Sequence, residues 1–339
     1  GRPLPAAGGS LPLTQVEALV ERAAAASIQD GLLEKLAAAV AKDRVVWSPR
    51  LGEDGVGRLQ VVERDFFGRA MTTRLPIKKL LFPHGDALWS YHDGQYREVV
   101  EPSGLAITGL PLCDLQALWY LDRVFSEDTI YLQRRAGIFV VGMLCDAGVE
   151  CRCDRALMPI AGDLFIGNDR VWALSDAGLA LLQAAGGRVK QKKDLPWPES
   201  PAAKRRQVTA EQLSVHLNAG VWSAEGERCL SCGACSAVCP TCYCFDLVDV
   251  AGTDGSVNRK RVWDNCFFAE HGRVAGGFDF RADRAARLRF RMEHKRLGFG
   301  DLRGQDSCVG CGRCRTVCPV DIDLDRIAEQ LVTEVPDVG

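Results

Sequence analysis

The sequence predicts an α+β chain: an N-terminal mixed α/β domain over residues 1–185, a linker at 186–208, and a mainly helical domain over 209–339 broken by a long insertion. Three observations carry that expectation. Two apolar runs of strand length, Leu105–Leu110 and Gly137–Leu144, flank a helical pattern at Leu115–Val124, as in a β-α-β unit with a parallel sheet. Residues 186–206 are basic and proline-containing, from Lys190, Lys192 and Lys193 through Pro196, Pro198 and Pro201 to Lys204, Arg205 and Arg206, the composition of a connecting segment. Beyond them one cysteine figure occurs twice, separated by the insertion from Thr241 to Ser307.

Taken in order, residues 1–10 are small and Pro/Gly-rich and are expected to hold no regular structure. Thr14 with Glu17 makes a capping box for a helix toward Ala26, and Asp30 with Glu34 opens a second through Leu36 to Val40. Strand-like pieces follow at Val45–Trp47, Leu59–Val62, Leu80–Phe82 and Ala87–Tyr91, with Gly and Pro between them. After the β-α-β unit, a strand at Val171–Leu174 and a helix at Asp176–Ala184 complete the first domain. A helix near Ala210–Leu217 leads into the first cysteine figure, and Ile322–Val332 reads as a closing helix behind the second. Within the insertion, 281–296 reads as a helix with a basic face. That face is either solvated and paired with Asp283 and Glu293, or laid against anionic groups or an acidic partner.

The first figure is Cys229-Leu-Ser-Cys232-Gly-Ala-Cys235-Ser-Ala-Val-Cys239-Pro240, and the second is Cys308-Val-Gly-Cys311-Gly-Arg-Cys314-Arg-Thr-Val-Cys318-Pro319. Both are C-x2-C-x2-C-x3-C-P, the run of bacterial ferredoxins, in which three close thiolates hold one [4Fe–4S] cube and the fourth serves the other cube. One cluster is therefore assigned to Cys229, Cys232, Cys235 and Cys318, and the second to Cys308, Cys311, Cys314 and Cys239. This makes the C-terminal unit a bacterial-ferredoxin-like dicluster domain. Gly233, Gly310 and Gly312 allow the tight curl that points backbone N–H groups at sulfur. A zinc site would separate two C-x2-C knuckles by a longer spacer, and a disulfide framework suits a short secreted chain rather than 339 residues with 15 cysteines.

The remaining seven cysteines fall into two groups. Cys113, Cys145, Cys151 and Cys153 lie in the first domain, and four thiolates there are candidate ligands of a third [4Fe–4S] cluster. Cys242, Cys244 and Cys266 form a trio that His271 or an acid would have to complete for a fourth. The bland alternative for any of them is a small buried hydrophobe, and it fits a lone residue such as Cys145 better than the close pairs.

Composition bounds the rest. A chain with 47% hydrophobic and 25% charged residues can bury a proper core, and a net charge of −2 argues against general binding of nucleic acid. No apolar run reaches the length of a membrane span, and the start, Gly1-Arg-Pro-Leu-Pro5, carries no signal-peptide pattern. Cysteine-rich yet without a secretion signal, the chain is expected in the reducing cytoplasm. Gly55-Val-Gly57 stops without the third Gly of a dinucleotide fingerprint, and there is no phosphate-binding loop, so neither nucleotide nor flavin is expected on this chain. Lys78-Lys79 and Arg134-Arg135 read as solvated charges and His294 as an ordinary helix residue. Arg313 and Arg315 either raise the potential of the second cluster or are plain surface residues.

The chain resembles the iron–sulfur β subunit of cytoplasmic NiFe sulfhydrogenases, that is NAD(P)-linked hydrogenases. It is similarly close to the corresponding iron–sulfur chain of anaerobic sulfite reductase, which belongs to the same family. The resembling pieces are Lys79-Leu-Leu-Phe82-Pro83, Cys113-Asp114 with Leu121-Asp122, Arg134-Arg135 before the strand to Cys145, and Cys151-x-Cys153. Further along come Cys239-Pro-Thr-Cys-Tyr-Cys-Phe-Asp246, Trp263-Asp264-x-Cys266, Arg289-x-Arg291-x-x-His294-Lys295, and the second cysteine figure itself. The first sixty residues or so carry no such likeness. Pro111-Leu112 stands where the family usually has Arg-Pro, and Arg152 and Asp154-Arg155-Ala156 replace an aromatic residue and a Ser/Gly-containing tail, which puts a third cluster in that domain in doubt. The resemblance implies a non-catalytic relay of single electrons. It would run between an NAD(P)H-oxidising flavin subunit and a NiFe hydrogenase or, less favoured, a sulfite-reductase-type catalytic subunit, with no membrane or nucleic-acid partner. The alternative is a subunit that itself reduces a sulfur substrate at a non-standard iron–sulfur site.

Overall fold

The computed structural model describes residues 22–29, 31–98, 104–146, 148, 150–154, 158–189, 191–196, 212–213 and 220–333. In chain order these form β1 (Arg22–Ser27), α1 (Leu32–Ala41), β2 (Val45–Leu51), β3 (Gly57–Val61), α2 (Lys78–Leu81), β4 (Asp86–His92), β5 (Gln95–Glu98) and β6 (Leu105–Leu110). Next come α3 (Leu112–Val124), α4 (Thr129–Ala136), β7 (Ile138–Met143), β8 (Leu164–Ile166), β9 (Arg170–Ala173), α5 (Asp176–Ala184) and β10 (Gln191–Asp194). The C-terminal part adds α6 (Gly220–Arg228), α7 (Ala234–Ala237), β11 (Phe245–Ala251), β12 (Val257–Trp263), α8 (Arg284–Leu297), α9 (Arg313–Thr316) and α10 (Leu324–Thr333).

Eight strands build one mixed sheet in the order β10-β1-β9-β8-β7-β6-β2-β3. Its centre is parallel: Val45 faces Leu105, Ile107 faces Val140, and Val141 faces Leu164. The expected β-α-β unit is thus present, with α3 and α4 crossing between β6 and β7. Side chains alternate along these strands, so the sheet carries a core on each face. Ile107, Val140 and Phe165 pack with Leu112, Leu115, Leu118 and Leu121 of α3. Ala106, Val141 and Leu164 pack with Leu32, Leu36 and Val40 of α1 and Leu182 of α5.

A second sheet has the order β11-β12-β4-β5. Its hairpin β4–β5 turns on Asp93-Gly94, both at positive φ, as the two-residue turn demands. Its other hairpin comes from the insertion between the cysteine runs. Val257 of β12 pairs with Tyr91 of β4, and Arg261 pairs with Asp86, so the N- and C-terminal parts share one sheet. The C-terminal core gathers Val221 and Trp222 of α6, Leu288 and Met292 of α8, and Leu324, Ile327 and Leu331 of α10 around Cys229, Cys266 and Phe267. Among the described residues no helix is long and apolar enough to cross a membrane.

Several expectations are corrected. The Ala-rich run at 22–26, expected to end a helix, is strand β1; Thr14 and Glu17 lie outside the described residues. Its small side chains are buried at Ala23, Ala25 and Ala26 between β9 and β10, and that pairing overrides the helix propensity of Ala. Leu80–Phe82, expected as a strand, falls on the end of the single helical turn α2, whose Leu81 is buried with the flanking Ile77 and Phe82. So short an apolar piece has no period to read. Part of the 186–208 stretch is strand β10, an edge strand on which the exposed Lys193 is the usual protection of an open edge. The C-terminal unit, expected to be mainly helical, also contributes β11 and β12. Of the helix near 210–217, only Gln212 and Leu213 lie among the described residues, both helical.

Candidate metal centre

The two cysteine runs have one local design. Gly233 (φ +73°) and Gly312 (φ +74°) stand in the left-handed region, and each is followed by a single helical turn, α7 or α9. Backbone N–H groups also point at sulfur where the chain turns at Ser231 and Asp321, both at positive φ: Ser231 N–H to Cys229 Sγ at 3.4 Å and Ile322 N–H to Cys318 Sγ at 3.2 Å. Asn265 braces the first loop by donating to Gly233 O at 2.9 Å.

Cys229, Cys232 and Cys235 line one recess together with Cys318 and Cys314 of the other run and the apolar side chains of Phe267, Leu288, Ile322 and Leu324. Conversely, Cys239 of the first run lies close enough to Cys311 and Cys314 for its charge to act on both, and Cys308 neighbours the same two. Burial pushes the Cys311 thiol up to about 11.

The charges around these thiols test whether they suit an anionic cluster. Lys78, Arg291 and Lys295 are buried, at 2%, 3% and 3% exposure, and among the described residues none has a carboxylate partner. Lys78 donates to Ser236 O at 2.9 Å and Cys242 O at 3.0 Å. Arg291 reaches Ser236 Oγ at 2.8 Å, Cys235 O at 3.2 Å and Cys242 Sγ at 3.4 Å. Lys295 donates to Thr241 Oγ1 at 2.9 Å. A buried cation without a counter-charge costs several kcal/mol, so this trio requires negative charge nearby. Sulfur supplies it at Lys295, where burial would lower the ammonium and Cys239 and Cys242 raise it; at Lys78 burial outweighs the same sulfurs and the ammonium is lowered. Four thiolates around one anionic iron–sulfur cube fit this setting.

Basic residues that the sequence reads as solvated, or leaves between two alternatives, lie inside the fold. Lys78 is no solvated charge, and the basic face of α8 turns Arg287, Arg291, Lys295 and Arg296 inward. Arg134 is likewise buried, paired with Asp86 at 2.8 Å. Arg313 is buried against Asp114 rather than exposed. His294 makes a 3.2 Å bond with the Tyr243 hydroxyl, and burial pulls its imidazole down to about 3.

The other cysteines also assemble. Cys113 and Cys153 share a buried cluster with Tyr120, Met158 and Val309, with Cys151 and Cys311 at its margin. Cys145 acts electrostatically on both Cys113 and Cys153, which brings four N-terminal thiols into one neighbourhood. Cys242 and Cys244 line a second recess with Lys78, Cys232, Trp263 and Asp264, and Cys266 is buried beside Cys244. His271 is bound to Asp264.

The 4Fe-4S dicluster domain family matches residues 228–322. The chain is 29% identical over 285 residues to sulfhydrogenase 2 subunit beta of Pyrococcus furiosus, covering 77% of this chain and 85% of that protein. No solved structure matches it significantly. Together these findings support an iron–sulfur protein of the sulfhydrogenase β-subunit kind, built on a 4Fe-4S dicluster domain.

Proposed function

We propose that the chain is the electron-transfer subunit of a multi-subunit oxidoreductase. It would hold one [4Fe–4S] cluster with Cys229, Cys232, Cys235 and Cys318 and another with Cys308, Cys311, Cys314 and Cys239. Bound there, such clusters supply one-electron redox chemistry at iron. The chain's own residues would ligate them and set their charge balance through Lys78, Arg291 and Lys295. Electrons would pass between an NAD(P)H-oxidising flavin subunit and a NiFe hydrogenase, in preference to a sulfite-reductase-type catalytic subunit. The likeness to a sulfhydrogenase β subunit supports a complex of that kind.

The observation that carries this reading is the exchange of last cysteines: Cys318 shares a recess with the first three thiols of the other run, and Cys239 neighbours Cys311 and Cys314. The test is anaerobic purification of the native complex, with iron and acid-labile sulfide counted and spectra taken after reduction. Brown protein with at least about eight irons per chain is expected. Colourless or zinc-loaded protein would sink the reading.

One observation favours a second reading, reduction of a sulfur substrate on this chain. The recess holding Cys242, Cys244, Lys78 and Asp264 adjoins Cys232 of the first run. Turnover of sulfur substrates by the isolated chain with reduced viologen would support it, and no turnover would return the chain to the relay alone.

A further inference from the structure

We propose that Cys113, Cys145, Cys151 and Cys153 ligate a third [4Fe–4S] cluster, packed against the second cysteine run. It rests on the relay reading, to which it adds a station. Topology delivers the four thiols to one place. β6 and β7 are parallel neighbours, so the chain leaves both at the same edge of the sheet, where α/β folds gather their ligands. Cys113 lies in the first turn of α3, directly after β6, and Cys145 lies just beyond the end of β7. Cys151 and Cys153 follow in a loop that returns over α3, where Gln116 Nε2 donates to Asp154 O at 2.9 Å.

Cys113 and Cys153 are buried, at 2% and 5% exposure. The two share one buried cluster, with Cys151 at its margin beside Cys311 of the second run. Four sulfurs are a complete, soft donor set of the kind iron–sulfur clusters take.

The position suits electron transfer. Arg152 N–H donates to Gly310 O at 2.7 Å, putting the Cys151–Cys153 loop in backbone contact with the Cys308–Cys314 loop. Gly310 and Gly312 make that approach possible: a methyl group on either would lie within 3.0 Å of Arg152 O or Glu150 O. Arg152 pairs with Asp325 at 2.6 Å, and Arg315 with Glu150 at 2.9 Å, which clamps the loop in place. Arg313 stands between the two sulfur sets, its charge acting on both Cys311 and Cys113.

The test uses the native complex, purified anaerobically, with iron, sulfide and zinc counted and electron paramagnetic resonance recorded on reduction. Wild type is expected to hold at least about twelve irons per chain, and C113S/C153S to lose about four with one set of resonances, leaving those of the eight-cysteine clusters. Equal iron in wild type and variant, or stoichiometric zinc lost from the variant, overturns the proposal. Should that variant fail to fold, C151S serves instead: altered resonances of one cluster support the proposal, and an unaltered spectrum refutes it. Absence of all iron from wild type would instead defeat the relay reading.

Discussion

Arg313, in the second cysteine run, donates from Nη2 to Asp114 Oδ2 at 2.7 Å, and both side chains are sealed from solvent, at 4% and 0% exposure. Asp114 follows Cys113 at the start of α3, so this bond joins the large sheet's helical layer to the cluster loops. Arg313→Ala strands the carboxylate in the interior, which should cost about 3–5 kcal/mol. A lower denaturant midpoint for the loaded protein is the expected reading, and an unchanged midpoint would deny the pair a structural role.

Arg291 lies over Cys235 O and Cys242 Sγ with no carboxylate to neutralise it among the described residues. Positive charge there favours the more negative, reduced state. Arg291→Met should therefore lower a reduction midpoint by on the order of tens of millivolts. Potentiometric titration of the reduced-cluster signal measures it, and a rise would contradict the assigned charge balance.

Gly312→Ala combines a left-handed backbone with a clash against Glu150 O, whereas Gly255, at φ +81°, has open space around it. The strain alone costs about 1–2 kcal/mol at either position. Gly312→Ala should exceed that and reduce bound iron, while Gly255→Ala should keep its iron. Similar iron contents in the two variants would mean that the loops need not touch.

Asp86 and Arg134 pair at 2.8 Å with 0% and 7% exposure, at the base of the shared hairpin sheet. Asp86→Ala should destabilise by about 3–5 kcal/mol. The exposed pair Arg58–Asp54, at 46% and 52%, should leave the midpoint nearly unmoved on the same change to Asp54. Chemical denaturation of both variants under one buffer decides.

Stripping iron anaerobically should leave Lys78, Arg291 and Lys295 buried with weakened counter-charge. Metal binding and folding are then coupled, and the apoprotein should melt several degrees below the loaded form. Equal melting temperatures would show that the thiols alone balance the cations.

The cysteine runs are readable in the sequence because ligation by one loop is local: C-x2-C-x2-C places three thiolates on one turn of chain whatever surrounds it. β6 and β7 are equally readable, since a strand buried on both faces must be apolar throughout. The Ala-rich run at 22–26 is not, because its helix propensity of tenths of a kcal/mol per residue yields to two flanking strands that only the fold supplies. Nor does sequence tell Lys78, a buried cation, from Lys79 beside it. The gathering of Cys113, Cys145, Cys151 and Cys153, the docking of β12 on β4, and the inward turn of Arg291 and Lys295 all join residues distant in the chain. Which thiols and charges stand together there depends on strand order and close backbone approach, so the local code names the ligands while tertiary packing determines their company.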